Sequence, residues 1–405
     1  MKKVISVTAA LLGMLLICCA CGTPDNGDHE GPSPSGGDEA QDSDFEDVTT
    51  YRVTDMQGEE GLDFIIDFPA GKDVTVLQIT DTQMQTMAGV RNQRRANQVR
   101  NAFFKDLPDD FDFRVWRYMD EAVAETQPSL IVLTGDNIYG ELDDSGEMWL
   151  ALIEKMDSYQ IPWCVVFGNH DNESAKGVRW QIEQLMNSEY CIFRQGNVAG
   201  NCNYNLLIRQ GGKAKYLLYM LDSNGCKVIP NNPGEGMLAD NVDIALIQQK
   251  QGFRDNQISW MYNSAKGIRE AYGEVPTLMF YHIPTSDVTD LVKEKYGDAV
   301  GDSPFEPDQE GDFGHAYEIT QGASCGTFLY YAKKVGCVGM FVGHQHKIAT
   351  SIVCDGVRLT YGLKTGTYDY HSQDMLGSTL ITLPVDGSDF EVEYIYSKLT
   401  YEYQN

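Results

Sequence analysis

The chain has 405 residues, 42% of them hydrophobic, which is enough to bury a large core and too apolar for a disordered or fibrous protein. Lys and Arg total 31 against 59 Asp and Glu, a formal net charge of −28. Such a surface repels nucleic-acid polymers and anionic membranes, so a phosphate-bearing substrate would need a local positive centre, which a bound metal can supply.

The chain begins Met1-Lys2-Lys3, continues through an uncharged apolar run from Val4 to Ile17, and reaches Cys18-Cys19-Ala20-Cys21. The run is too short to span a bilayer and fits a secretory signal over residues 1–20. Ala20-Cys21 resembles a bacterial lipoprotein cleavage site, with Cys21 as the lipidated residue. Cys18 stands where such sites usually carry Leu, so plain secretion is the alternative. The expected location is therefore the cell envelope or periplasmic face, with membrane contact only through Cys21, or the medium. Residues 21–50 are rich in Gly, Pro, Ser, Asp and Glu, cannot bury enough surface to order themselves, and read as an acidic tether before a domain over 51–405. Seven further cysteines, Cys164, Cys191, Cys202, Cys226, Cys325, Cys337 and Cys354, form no CxxC pair, which argues against a zinc knuckle. Cys191 and Cys202 either bridge in an oxidising compartment or pack as small apolar residues.

Six short apolar runs predict strands: Val74–Ile79, Leu130–Leu133, Trp163–Phe167, Tyr216–Leu221, Thr277–Tyr281 and Val338–Val342. Most do not alternate, as expected of strands covered on both faces. Helical spacing predicts helices over Arg114–Gln127, stopped by Pro128, over Gly146–Tyr159 and over Asn256–Tyr272. Alternating strands and helices define an α/β class with mixed or parallel sheet.

The strand ends carry the chemistry. The first is followed by Asp81-Thr82-Gln83, the second by Gly135-Asp136-Asn137-Ile138-Tyr139, the third by Gly168-Asn169-His170-Asp171, the fifth by His282-Ile283-Pro284 and the sixth by Gly343-His344-Gln345-His346. Four of the seven histidines fall just past a strand. Ligands of open α/β sheets bind outside the carboxyl ends of strands, and these oxygen and imidazole donors suit Mn, Fe or Zn. Singly, each motif has an ordinary reading as a helix cap, an Asx turn or a hydrogen-bonded core histidine. Their joint occurrence in this order does not.

From about Val74 to Leu383 this order resembles the calcineurin-like metallophosphoesterases. Gly135-Asp136-Asn137-Ile138-Tyr139, Phe280-Tyr281-His282-Ile283-Pro284 and Tyr361-Gly362-Leu363-Lys364-Thr365-Gly366 look like the small purple-acid-phosphatase-like branch. The resemblance implies a four-layer α/β/β/α sandwich with two mixed β-sheets and a two-metal centre at the strand ends. Asp81 and His346 would hold the first metal, Asp136 would bridge, and Asn169, His282 and His344 would hold the second. His170 would act on substrate, oriented by Asp171. Most relatives carry His where this chain has Gln83, a weaker ligand. Tyr139, three places after the bridging Asp, would suit a ferric first ion, or would simply pack beside the strand; a weak or empty first site is the third reading.

The implied activity is hydrolysis of phosphoric esters, with phosphomonoesters as the leading substrates, by a hydroxide bridging two divalent or mixed-valence ions. A phosphodiesterase or nucleotide pyrophosphatase on the same site is the alternative, as is a non-catalytic binding lipoprotein whose site has decayed, which Gln83 suggests. Arg91, Arg94, Arg95 and Arg100 form a basic patch that reads as a solvated helix face or a second phosphate contact, and Tyr368, Tyr370 and His371 line a pocket mouth or belong to the core.

Overall fold

A computed structural model describes residues 48–86, 97, 114–225, 251–296, 312–316, 322 and 327–398. The expected signal, the tether up to residue 47, the arginine patch, Cys226 and Cys325 lie outside them.

In chain order the strands are β1 (Arg52–Asp55), β2 (Phe64–Phe68), β3 (Val74–Ile79), β4 (Leu130–Thr134), β5 (Trp163–Val166), β6 (Tyr204–Gln210), β7 (Lys213–Met220), β8 (Thr277–Phe280), β9 (Phe313–Ala316), β10 (Cys337–Val342), β11 (Ile348–Cys354), β12 (Val357–Tyr361), β13 (Gly377–Leu383) and β14 (Glu391–Tyr396). The described α-helices are α1 (Arg114–Thr126), α2 (Glu147–Ser158), α3 (Val178–Asn187), α4 (Asp255–Tyr272), α5 (Ser286–Tyr296) and α6 (Phe328–Lys334). Every predicted strand and helix is present, with ends shifted by no more than a few residues.

The strands form two mixed sheets. One runs β14-β13-β3-β4-β5 and the other β1-β2-β6-β7-β8-β10-β12-β11-β9. In the smaller sheet β3, β4 and β5 are parallel, with Ile79 level with Leu133 and Thr134 level with Val166. In the larger, β7, β8, β10 and β12 are parallel, with Phe280 level with Phe341 and Val342 level with Tyr361.

The absence of alternation in the sequence follows from the layers. Leu278 and Phe280 of β8, Phe341 of β10 and Leu218 and Met220 of β7 point into one core, which is shared with β3, β4, β5, α1 and α2. Met279, Met340, Val342, Leu217 and Tyr219 point into a second core with Met261, Ala265 and Ile268 of α4 and Phe328 of α6. Period-2 alternation persists, but both faces are apolar because both are covered. Full burial of each such side chain contributes roughly 1.5–3 kcal/mol. Phe280 and Phe341 stack across the inner layer at 5.0 Å. The sheets are tied near the site by Gln78, whose Nε2 donates to Val342 O at 3.1 Å.

Eight of the described strands, β1, β2, β6, β9 and β11 to β14, went unread, and at β1 the reason is that all four of its residues are exposed. An edge strand with no buried face has no hydrophobic period to detect. Among the described residues, no helix is long and apolar enough to cross a membrane. Cys164, Cys191, Cys202, Cys337 and Cys354 are free thiols, and Cys202 Sγ accepts the Phe167 N–H at 3.0 Å.

Candidate metal centre

The two parallel half-sheets present their carboxyl ends to the same space. Strands β3, β4 and β5 deliver Asp81, Asp136 and the turn Gly168–Asp171 from one sheet, and β8 and β10 deliver His282, His344 and His346 from the other. The loops leaving β3 and β4 are tied together: the N–H of Asp81 donates to Gly135 O at 3.1 Å and that of Gln83 to Asp136 O at 2.8 Å. Asp81, Asp136 and His344 all adopt positive φ (53°, 48° and 74°). That left-handed backbone costs of order 1–3 kcal/mol at each non-glycine residue, and the packed strands on both sides hold it in place. At Gly168 a Cβ would collide with Asp136 N and Oδ1, and at Gly343 a Cβ would lie 2.6 Å from Asp81 Oδ2. Neither position has room for a side chain.

Asp136, His282 and His344 bring ligand atoms within 4.8 Å of one another, and so do Asp81, Asp136 and His346. Two three-residue clusters therefore share one carboxylate. The donors are prepared for cations. His282 Nδ1 meets Thr134 O at 2.9 Å, and His346 Nδ1 meets Tyr370 O at 2.9 Å. A carbonyl at Nδ1 holds the N–H there and leaves Nε2 as the lone-pair donor. The buried Asn169 Oδ1 has no hydrogen-bond partner, while Asp81 Oδ1 faces His346 Nε2 at 3.2 Å and Asp136 Oδ2 faces His282 Nε2 at 3.3 Å. An orphaned buried acceptor such as the Asn169 oxygen is costly unless something fills the space before it. A pair of divalent cations fits this donor set.

The charges agree. Burial would raise Asp136, but His282 and His170 outweigh it and hold the carboxyl well below its usual range. Asp81 is lowered in the same way, against burial, by His282, His346 and Lys364. Burial and the neighbouring His282 push His344 down to about 3, which makes it a neutral ligand. His282 is raised to about 9 against its burial by Asp136 and Asp81, so its proton supplies the positive charge these carboxylates demand. A cation there would displace it.

Three expectations need correction or sharpening. Asp171 does not orient His170. Its carboxylate accepts from Gly168 N at 2.6 Å, Ile138 N at 2.9 Å and Asn137 Nδ2 at 3.1 Å, so it shapes the loop. Burial and the Asp136 charge raise it to about 7. The carboxylate on His170 is Glu173, with Oε2 2.8 Å from Nδ1. Glu173 was legible only as a carboxylate three residues past the histidine, in a turn that the sequence did not announce. Gln83 does not aim its oxygen at the clusters, because Oε1 accepts from Lys364 Nζ at 2.6 Å while Nε2 lies 3.4 Å from Asp136 Oδ2. Tyr139 stacks on the His170 ring, with centroids 4.4 Å apart and planes 22° apart. Tyr370 stacks on His346 at 4.3 Å, whereas Tyr368 is a buried core residue. Burial pushes His371 down to about 4.

A profile described as Calcineurin-like phosphoesterase matches residues 74–347, which include every residue of both clusters. The chain belongs to this family. Among similar proteins, one named probable inactive purple acid phosphatase 28 of Arabidopsis thaliana is 26% identical over 64% of the chain and 63% of its own length. Probable inactive purple acid phosphatase 29 of the same plant is 25% identical over 76% of the chain and 75% of its length. The chain thus spans just under two thirds of the first of these relatives. Solved structures to which the chain is similar include a dimetal phosphatase from Danio rerio (13% identity, 79% of this chain, 95% of that one, TM-score 0.41). A purple acid phosphatase from yellow lupin is another (10% identity, 82% and 53%, TM-score 0.41).

Proposed function

We propose that this calcineurin-like phosphoesterase is an exported, metal-dependent phosphomonoesterase. The observation that carries the reading is the sharing of Asp136 by two ligand clusters at one edge of the sandwich. When bound, a pair of cations lowers the pKa of a water and neutralises charge on the phosphoryl oxygens. The chain's own residues do the rest. Asp81, Asp136, Asn169, His282, His344 and His346 would hold the ions, and the buried carboxylates would balance their charge. Water attacks phosphorus, the ester P–O bond breaks, and the leaving oxygen takes a proton. His170 is the donor we assign to that oxygen: Glu173 holds Nδ1 and Tyr139 braces the ring face. No Ser or Cys nucleophile is needed, so no phosphoenzyme forms. The run from Val4 to Ile17 and the pair Ala20-Cys21 support export with a lipid anchor at Cys21.

The test is turnover of 4-nitrophenyl phosphate, bis-4-nitrophenyl phosphate and nucleotides by the chain reloaded with Mn²⁺ or Zn²⁺, beside Asp136→Asn. Metal-dependent release from the monoester, lost in the variant, is expected, and turnover of diesters alone overturns the monoesterase assignment. A second reading, a binding protein with a decayed site, draws on the "inactive" names of the two plant relatives and on Gln83. It requires less than one metal per chain after reconstitution and activity indifferent to Asp136→Asn.

A further inference from the structure

Lys364 follows β12, is 1% exposed, and reaches toward the first cluster. Its ammonium donates to Asp81 O at 2.8 Å and to Gln83 Oε1 at 2.6 Å. Lys offers only hydrogens, so the atom facing it must be the amide oxygen, and this sets the orientation of Gln83. The amide nitrogen is thereby turned toward Asp136 Oδ2, 3.4 Å away. The space beside Asp81, Asp136 and His346 therefore meets N–H hydrogens where a further ligand would present a lone pair, and a full positive charge lies one side chain behind. At the second cluster the amide is turned the other way. Asn169 Oδ1 is buried without a partner, and His282 and His344 bring ligand atoms within 4.8 Å of Asp136 in the second cluster.

We propose that Lys364, by capturing the Gln83 oxygen, makes the Asp81–His346 half of the centre a weak and exchangeable cation site, and leaves the Asn169–His282–His344 half as the tight one. The inference rests on the metal-dependent reading above and adds a regulatory property to it. The chain passes from a one-ion to a two-ion state as free cation rises, and its second ion responds to supply. The charge alone is large enough: a unit charge several ångströms from a divalent ion, at an effective dielectric constant of about 20, shifts affinity by more than ~10-fold.

The experiment is calorimetric titration of the chelator-stripped full chain with Mn²⁺, with elemental analysis after gel filtration. Two steps at least ~100-fold apart are expected, and His346→Ala should delete the weaker. Lys364→Met should tighten the weaker step at least ~10-fold by removing the charge and freeing the Gln83 oxygen, while the tight step moves by less than ~3-fold. Should Lys364→Met fail to fold, Gln83→His decides, because an imidazole at 83 restores a lone-pair donor and should tighten the weaker step by a similar factor. Two equal steps in the parent chain, or a weaker step unchanged in the deciding variant, overturn the role of Lys364 and leave the hydrolase reading standing. Absence of both steps overturns the metal-dependent reading itself.

Discussion

Replacing Glu173 by Gln separates a positioned histidine from a merely packed one. The bond at issue is 2.8 Å long between two side chains that are each about nine-tenths buried. A hydrogen bond to a charged partner in such surroundings contributes roughly 1.5–3 kcal/mol, and each 1.36 kcal/mol is tenfold in rate. If that energy holds His170 ready to protonate the leaving oxygen, Glu173→Gln should lower kcat by about 10- to 150-fold. It should leave KM nearly unchanged, since in the proposed mechanism bound cations would hold the phosphoryl group. The loss should depend on the leaving group. Phenyl phosphate, whose leaving oxygen needs the proton, should suffer most, and 4-nitrophenyl phosphate least. Glu173→Asp should recover part of the loss. The assay is steady-state kinetics on both esters, with metal content measured on the same preparations. Equal losses on the two esters, or an unchanged kcat on phenyl phosphate, would refute the assignment. Asp171→Asn offers the contrast: its carboxylate holds the loop carrying Asn169, so its replacement should cost metal content and folding stability together.

Three further outcomes follow from particular contacts. Burial raises Asp63 to about 6, against the Asn205 N–H and Arg194. A raised carboxyl pKa means the folded state binds the proton more tightly, so its stability is fully present below about pH 4 and is lost as pH rises through 6, by up to ~3 kcal/mol. Urea unfolding at pH 4 and pH 7 should show the parent chain losing that much relative to Asp63→Asn, and a pH-independent difference contradicts it. Gly168→Ala would drive a methyl into Asp136, so the purified variant should retain fewer ions by elemental analysis; full loading with an intact melting transition argues against the close approach of these two loops. Cys21→Ser should abolish incorporation of labelled palmitate and release the chain from membranes, whereas an unlabelled parent chain refutes the anchor and favours secretion.

Much of the architecture was readable because the strands near the centre are buried on both faces. Leu130–Leu133 is an unbroken apolar run, and Val74–Ile79 is interrupted only by Thr75 and Gln78, because both strands are covered on their two faces, and such runs are conspicuous in a sequence. The ligands were readable for a related reason. Apolar strands that end in Asp, Asn or His place costly polar groups at a buried edge, and only a shared purpose makes that worthwhile. Glu173 and Lys364 carried no such mark. A carboxylate in a short turn and a lysine after a strand have many ordinary uses, and their roles depend on which atom lies across from them.

The sequence by itself determined the class of fold, the strands that bear the centre and the identities of the residues that converge there, because local burial and residue chemistry are written along the chain. The tertiary structure alone decided which carboxylate holds His170, that Asp171 serves the loop, and that Lys364 takes the Gln83 oxygen. Those are contacts across 3, 33 or 281 positions. A hydrogen bond of under 3 Å depends on how two sheets are stacked and how each chain turns on leaving them, and no one-dimensional pattern records that geometry.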